Sequence, residues 1–212
     1  MSNSRKKADP HIIRTVEGLR EVVGAQIPGL DLKNHKELDE FAIDFLARSP
    51  FLVLGTADMQ GNLDASPKGD EPGFVLVEDE RTLVIPDRPG NKLVYGHLNI
   101  LNNPKVGILF MLPGTSETLR VNGTAELTNN PELLQRLAAR GKPAVVAIRV
   151  HVEECFFHCA KAFISAALWK SESWPERQKI SFGRMFAKQT GGDEDSAQAI
   201  DEMVEADYRD NL

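Results

Sequence analysis

Two spacings of apolar residues divide the chain. Up to Arg48 they recur at helical intervals. Ile12, Val16, Leu19 and Val23 predict a helix from Asp9-Pro10 to Val23, with Asp9 as N-cap and Pro10 in the first position. Gly24 to Leu32 reads as a loop. Leu38, Phe41, Phe45 and Leu46 form the stripe of a second helix, Lys36 to Ala47, with Glu37, Asp39, Glu40 and Asp44 facing out. Ser49-Pro50 ends it. From Phe51 the runs become short and punctuated by turns. Phe51–Ala57, Leu63–Gly69, Gly73–Val77 and Thr82–Ile85 read as strands, the last two joined by the acidic turn Glu78 to Arg81.

A helix from Lys92 to Leu101 follows, stopped by Asn102-Asn103-Pro104. Val106 to Leu112 reads as a buried strand. The next strand alternates, with Leu119, Val121, Ala125 and Leu127 on one face and Thr118, Arg120, Asn122, Thr124 and Glu126 on the other. Asn129 is placed to cap a short helix, Pro131 to Ala139. Ala144 to Glu154 is the last strand; Cys155 to Cys159 begins a connector that reaches Trp169. Two polar helices, Pro175–Lys188 and Ser196–Tyr208, close the chain. The fold class is mainly β with flanking helices (α+β): six or seven mostly antiparallel strands in a closed or partly closed barrel.

Composition narrows the function classes. The 212 residues suffice for one sizeable domain. A net charge of −6 argues against a nucleic-acid partner, which needs a basic face. No apolar stretch reaches bilayer length, and Met1 to Lys7 is polar and basic with no apolar run behind it, so no membrane span or secretory signal is expected. Cys155 and Cys159 give no disulfide framework. The expected location is cytoplasmic. Met1 to Ala8 reads as disordered.

Three polar spots fall where strands meet turns. Ser66-Pro67-Lys68-Gly69 places a proline in a strand, which implies an edge or a broken ladder. Ile85 to Lys92 is a strand end, a Pro/Gly loop and a helix start; Asn91 and Lys92 sit where unpaired N–H groups and the helix dipole would favour a phosphate. Thr118, Arg120 and Asn122 form the third. Each has a plain alternative: a solvated strand-end Lys68, a surface turn at Lys92, a surface pair of Arg120 with Glu126 or Glu117. There is no triad and no carboxylate pair. Cys155, His158 and Cys159 lack a fourth ligand for zinc, His151 reads as a surface or interface residue, and Cys159 has only His158 as a candidate activating neighbour.

From Ser49 to Leu127 the chain resembles the pyridoxamine 5′-phosphate oxidase-like, FMN-binding split-barrel family. The resemblance rests on Ser49 to Thr56, Asp64 to Gly69, Ile85 to Lys92, Asn99 to Pro104 and Leu119 to Gly123, in that order and spacing. His158 to Phe163, ending at Leu168-Trp169, is similar to a subgroup of uncharacterised members. The resemblance implies a split β-barrel homodimer with FMN in grooves between the subunits. It implies a phosphate held at Lys68, Asn91, Lys92 and Arg120. Ser66, Pro67, Pro86 and Thr118 would lie near the ring or ribityl chain, Gly69 would lie beside them, and His158, Lys161 and Trp169 would form a tail reaching a flavin. Asn91 stands where oxidases proper often carry arginine, and Ser165 where related tails often do. The domains expected are a disordered 1–8, an FMN-binding split barrel with N-terminal helices over 9–170, and a helical extension over 171–212. The function implied is an FMN-dependent oxidoreductase acting on an unidentified small molecule. The alternatives are a flavin store or sensor without turnover, a barrel holding haem or a deazaflavin, and an interaction module. Vitamin B6 oxidation is not expected, because Asp201, Glu202, Glu205 and Asp207 in the tail would repel a phosphate.

Overall fold

The change of texture at Phe51 is a change from helix to sheet. The computed structural model describes residues 9–210, so the expected disorder of residues 1–8 lies outside the described residues. Two compact units divide the chain, one ending at Asn34 and the other starting at His35. In the first, α1 (Val16–Val23) begins later than its spacing predicts, because Thr15 rather than Asp9 is the N-cap: its hydroxyl accepts from the Gly18 N–H at 3.1 Å. A 3-10 turn covers Leu30–Lys33.

The second unit opens with α2 (Glu40–Arg48), capped by Asp39, whose carboxylate accepts from the Ala42 N–H at 2.8 Å. Leu38, Phe45 and Leu46 are buried as expected, but Ala42 takes the core position expected of Phe41, which is exposed. Then come β1 (Phe51–Ala57), β2 (Leu63–Gly69), β3 (Leu76–Asp79), β4 (Thr82–Asp87), α3 (Tyr95–Asn102), β5 (Lys105–Met111), β6 (Thr118–Thr128), α4 (Pro131–Arg136), β7 (Val146–His158), α5 (Lys161–Ser165), α6 (Phe182–Thr190) and α7 (Glu194–Asp210). Asn130, not Asn129, caps α4.

The seven strands form one sheet in the order β2-β1-β5-β6-β7-β4-β3, every pair antiparallel. β2 is an edge, as Pro67 requires. The sheet curls, since the Lys68 ammonium on β2 reaches the Asp87 carboxylate on β4, although four strands separate the two in the order. Leu54, Ile108 and Val121 lie in register on the inner, core face. β5 alternates instead of being buried on both faces.

β7 runs four residues past its expected end. A bulge explains why: Asn122 pairs with Glu154 and Gly123 with Val152, leaving Glu153 as the extra residue. The alternation therefore changes phase there. Val150 and Val152 face the core before the bulge; Cys155 and Phe157 do so after it, Phe157 meeting Phe45 edge-on at 5.5 Å. Glycine is required at the bulge, because a Cβ on Gly123 would lie 2.0 Å from the His151 carbonyl oxygen.

α6 and α7 form an antiparallel hairpin. Asp201 is spent inside it, accepting from the Ser181 hydroxyl at 2.5 Å and the Gly183 N–H at 2.8 Å, and Glu205 pairs with Lys179. No helix among the described residues is long and apolar enough to cross a membrane.

Candidate functional site

β1 and β2 share a face but not a character. Leu52, Leu54 and Thr56 point inward on β1, and their register partners on β2 are Lys68, Ser66 and Asp64. The inner face of the sheet thus turns polar at its edge. There it lines a cavity of about 800 Å³, closed by the end of β4, the loop from Arg88 to Val94 and the first turn of α3. That volume lies within the usual range for a small-molecule site. Leu127, Val145 and Val146 supply apolar wall.

The loop is longer than its sequence suggests. Lys92 and Val94 both adopt left-handed backbone, with φ of 62° and 49°, so α3 starts at Tyr95 and not at Lys92. For a β-branched residue such as Val94 this costs on the order of 1–3 kcal/mol, strain typical of a functional loop. Asn91 folds the turn, its side-chain oxygen accepting from the Leu93 N–H at 3.0 Å. No side chain caps α3, and its first turn, Tyr95 to Leu98, lines the cavity, which places the uncapped start of the helix and its dipole beside it. Asn99 pins the helix to β1 by donating to the Thr56 hydroxyl at 3.0 Å.

Charge in the cavity is mostly paired within the chain. The Asp87 carboxylate accepts from the Lys68 ammonium, and His97 Nε2 stands 3.2 Å from its other oxygen. Burial pushes the Asp87 carboxyl up, but the His97 ring and the Lys68 ammonium close beside it outweigh this and hold the group below the usual carboxylate range. Arg88 donates to Asp70 at 2.8 Å and to the Leu137 carbonyl at 2.8 Å, and Arg140 donates to the same Asp70 at 2.8 Å. The Asp70 side chain is only 2% exposed. It clamps the end of β2 to the loop after β4 and to the turn after α4. Lys92 is exposed and is in no ion pair among the described residues.

Of the residues singled out in the sequence, Ser66, Pro67, Lys68, Gly69, Pro86, Asn91 and Lys92 all line this cavity. Thr118, Arg120, His158, Lys161 and Trp169 do not. Thr118 is buried and pairs in register with the exposed His158. Arg120 lies on the outer face, its guanidinium 5.7 Å from the Phe156 ring centre; Glu126, one partner considered for it, stands 3.7 Å from Arg149. Trp169 Nε1 donates to the Thr115 carbonyl at 2.8 Å, beside Phe163. Lys161 opens α5, a helix absent from the sequence reading. The acidic residues of α7 expected to repel a phosphate are not among the cavity's walls.

Asp70, Asp87 and His97 escaped the sequence reading. Asp87 stands inside the Ile85–Lys92 run and could have been flagged as a charge beside Lys68's strand. His97 carries no local signal, being one polar residue on a short helix. Burial pushes the Cys155 thiol up to about 12, which disfavours its thiolate; Cys159, the cysteine weighed as a nucleophile, is exposed.

The polar-edged cavity in a curled antiparallel sheet is the frame on which the family comparison falls. The chain belongs to the pyridoxamine 5′-phosphate oxidase family, whose model matches residues 38–159, more than half of its length. A search of curated proteins gave no significant match. Among solved structures, the chain is similar to HupZ of Group A Streptococcus (21% identity, 57% of this chain and 93% of that one, TM-score 0.47). It is also similar to general stress protein 26 of Bacillus anthracis (15%, 54% and 88%, 0.41). A third is an FMN-binding protein of Syntrophomonas wolfei (12%, 55% and 81%, 0.43). These likenesses are distant.

Proposed function

We propose that this chain is an FMN-binding flavoprotein, a split-barrel homodimer that acts as an oxidoreductase on a small molecule. The observation that carries the reading is the cavity of about 800 Å³ in which Ser66 to Gly69, Pro86, Asn91 and Lys92 meet an uncapped helix start. Lys92 and the N–H groups of α3 would hold the phosphate, with Asn91 shaping the turn. Ser66, Pro67 and Pro86 would flank the ribityl chain and ring. FMN, when bound, supplies the hydride chemistry; the chain supplies orientation and charge.

The second set of residues supports a site shared by two subunits. Arg120, His158, Lys161 and Trp169 lie outside the cavity of their own chain and would complete that of a second copy, with Thr118 buried behind them in β6. The outer sheet face supports the pairing as well. Pro67, Val53, Leu109, Arg120 and Phe156 fall in one register row on that face, mostly apolar and opposite the core.

Trp169 gives the test of this arrangement. Trp169→Ala should raise the fluorescence of bound FMN, because an indole against the ring quenches it, and should leave the fold intact. Titration of FMN into the purified variant, read by flavin emission, checks it. An emission spectrum identical to the wild type would place the tail away from the flavin.

A further inference from the structure

The cavity holds a charge arrangement that the flavin reading uses only through Lys68, leaving Asp87 and His97 without a role. Asp87 sits between two basic side chains: the Lys68 ammonium on one oxygen and the His97 ring at 3.2 Å from the other. The three side chains are 15%, 18% and 12% exposed, so solvent screens them weakly. His97 Nε2 is shut off from solvent and faces the Asp87 carboxylate at 3.2 Å without an aligned hydrogen bond, so a change in the charge of Asp87 or of the ring is felt directly by the other.

We propose that His97 is a positioning residue for the anion end of the site: a phosphate-bearing ligand binds together with one proton, which His97 takes up. The protonated ring then balances Asp87, and the Lys68 ammonium is left to the ligand. The identity of that ligand as FMN rests on the reading above.

The charge count gives the reason. With a neutral imidazole, Lys68 and Asp87 cancel, and the cluster offers a dianion nothing. With a protonated imidazole the cluster carries one net positive charge at short range in a poorly solvated cavity. Whatever favours the anion must then favour the proton, and by linkage the reverse. Imidazole is the side chain suited to this, since its charge changes between about pH 5 and 8. The other charged or titratable groups around the ring are few. β2 adds Asp64, whose carboxylate approaches Gly96, and the loop and helix add Arg88, held by Asp70, with Lys92 and Tyr95. β1 carries none. On β6, Glu126 is paired with Arg149 and Arg120 lies over Phe156.

The test is FMN binding by calorimetry in buffers of different ionisation heat, with affinity followed from about pH 6.5 to 8.5. The wild type should take up a fraction of a proton and bind roughly tenfold more tightly at the acid end, within the usual range of coupling. The FMN phosphate, with its second ionisation near about pH 6, pushes the other way and cannot produce that trend. His97→Gln should bind FMN with no proton uptake and lose the trend. Asp87→Asn should bind more tightly at the alkaline end, also without proton uptake, and it carries the test if the glutamine variant does not fold. FMN binding with proton uptake unchanged in either variant, or with none in the wild type, overturns the coupling and leaves the flavin reading standing. A wild type that takes up no FMN overturns both.

Discussion

Asp70→Ala should lower the unfolding free energy by about 1–3 kcal/mol, the cost of losing charge-assisted hydrogen bonds whose arginine partners keep part of their hydration. The Asp70 side chain is 2% exposed and meets two guanidiniums, Arg88 at 2.8 Å and Arg140 at 2.8 Å. The Arg88 arm should dominate, because Arg140 is 42% exposed and better hydrated. Urea unfolding at neutral pH measures it; a loss below about 1 kcal/mol would mean that the clamp is decorative. The pH dependence has a definite sign. Burial raises the Asp70 carboxyl, but the Glu71 N–H and the Arg88 guanidinium lower it more, so its folded value lies below the usual range. Its contribution is therefore complete above the unfolded value of about 3.9 and is lost as the pH falls through the folded one. Wild type and variant should converge in acid. Because the clamp anchors the loop carrying Asn91 and Lys92, the variant should also bind FMN more weakly.

The second large effect is on binding alone. With Lys92 and Arg120 both replaced by alanine, FMN affinity should fall by about 3–6 kcal/mol, each charge-assisted bond contributing about 1.5–3 kcal/mol. Both side chains are exposed, so the fold should survive; Arg120 gives up only its contact with Phe156. The two residues lie in different parts of one chain, and that makes a sharper experiment possible. A mixed dimer of Lys92→Ala chains with Arg120→Ala chains has one site with both residues and one with neither. It should recover a single tight FMN site per dimer. Unchanged affinity in the double variant would remove the phosphate assignment, and no recovery in the mixed dimer would remove the shared site.

What the sequence made legible follows from which signals are local. β1 and β2 have the ends expected of them, Phe51–Ala57 and Leu63–Gly69, since each is a short apolar or alternating run between turn residues. Pro67 announced its edge position through backbone chemistry alone. β7 was cut short because its alternation changes phase at Glu153, and a bulge is set by the partner strand, not by the run itself. The start of α3 was misplaced because left-handed Lys92 and Val94 contradict their own propensities. Half of the candidate site could be read, since Ser66 to Gly69 and Pro86 to Lys92 are contiguous segments. The Lys68–Asp87–His97 cluster could not, because only the curl of the sheet brings β2 against the end of β4.

The central claim is that this cavity binds FMN, and the most direct measurement is the visible absorption spectrum of the purified protein, with mass analysis of what heat releases from it. The account predicts a yellow protein, or one that becomes yellow on adding FMN, releasing FMN in a ratio near one per chain. A colourless protein that takes up no added FMN would contradict it.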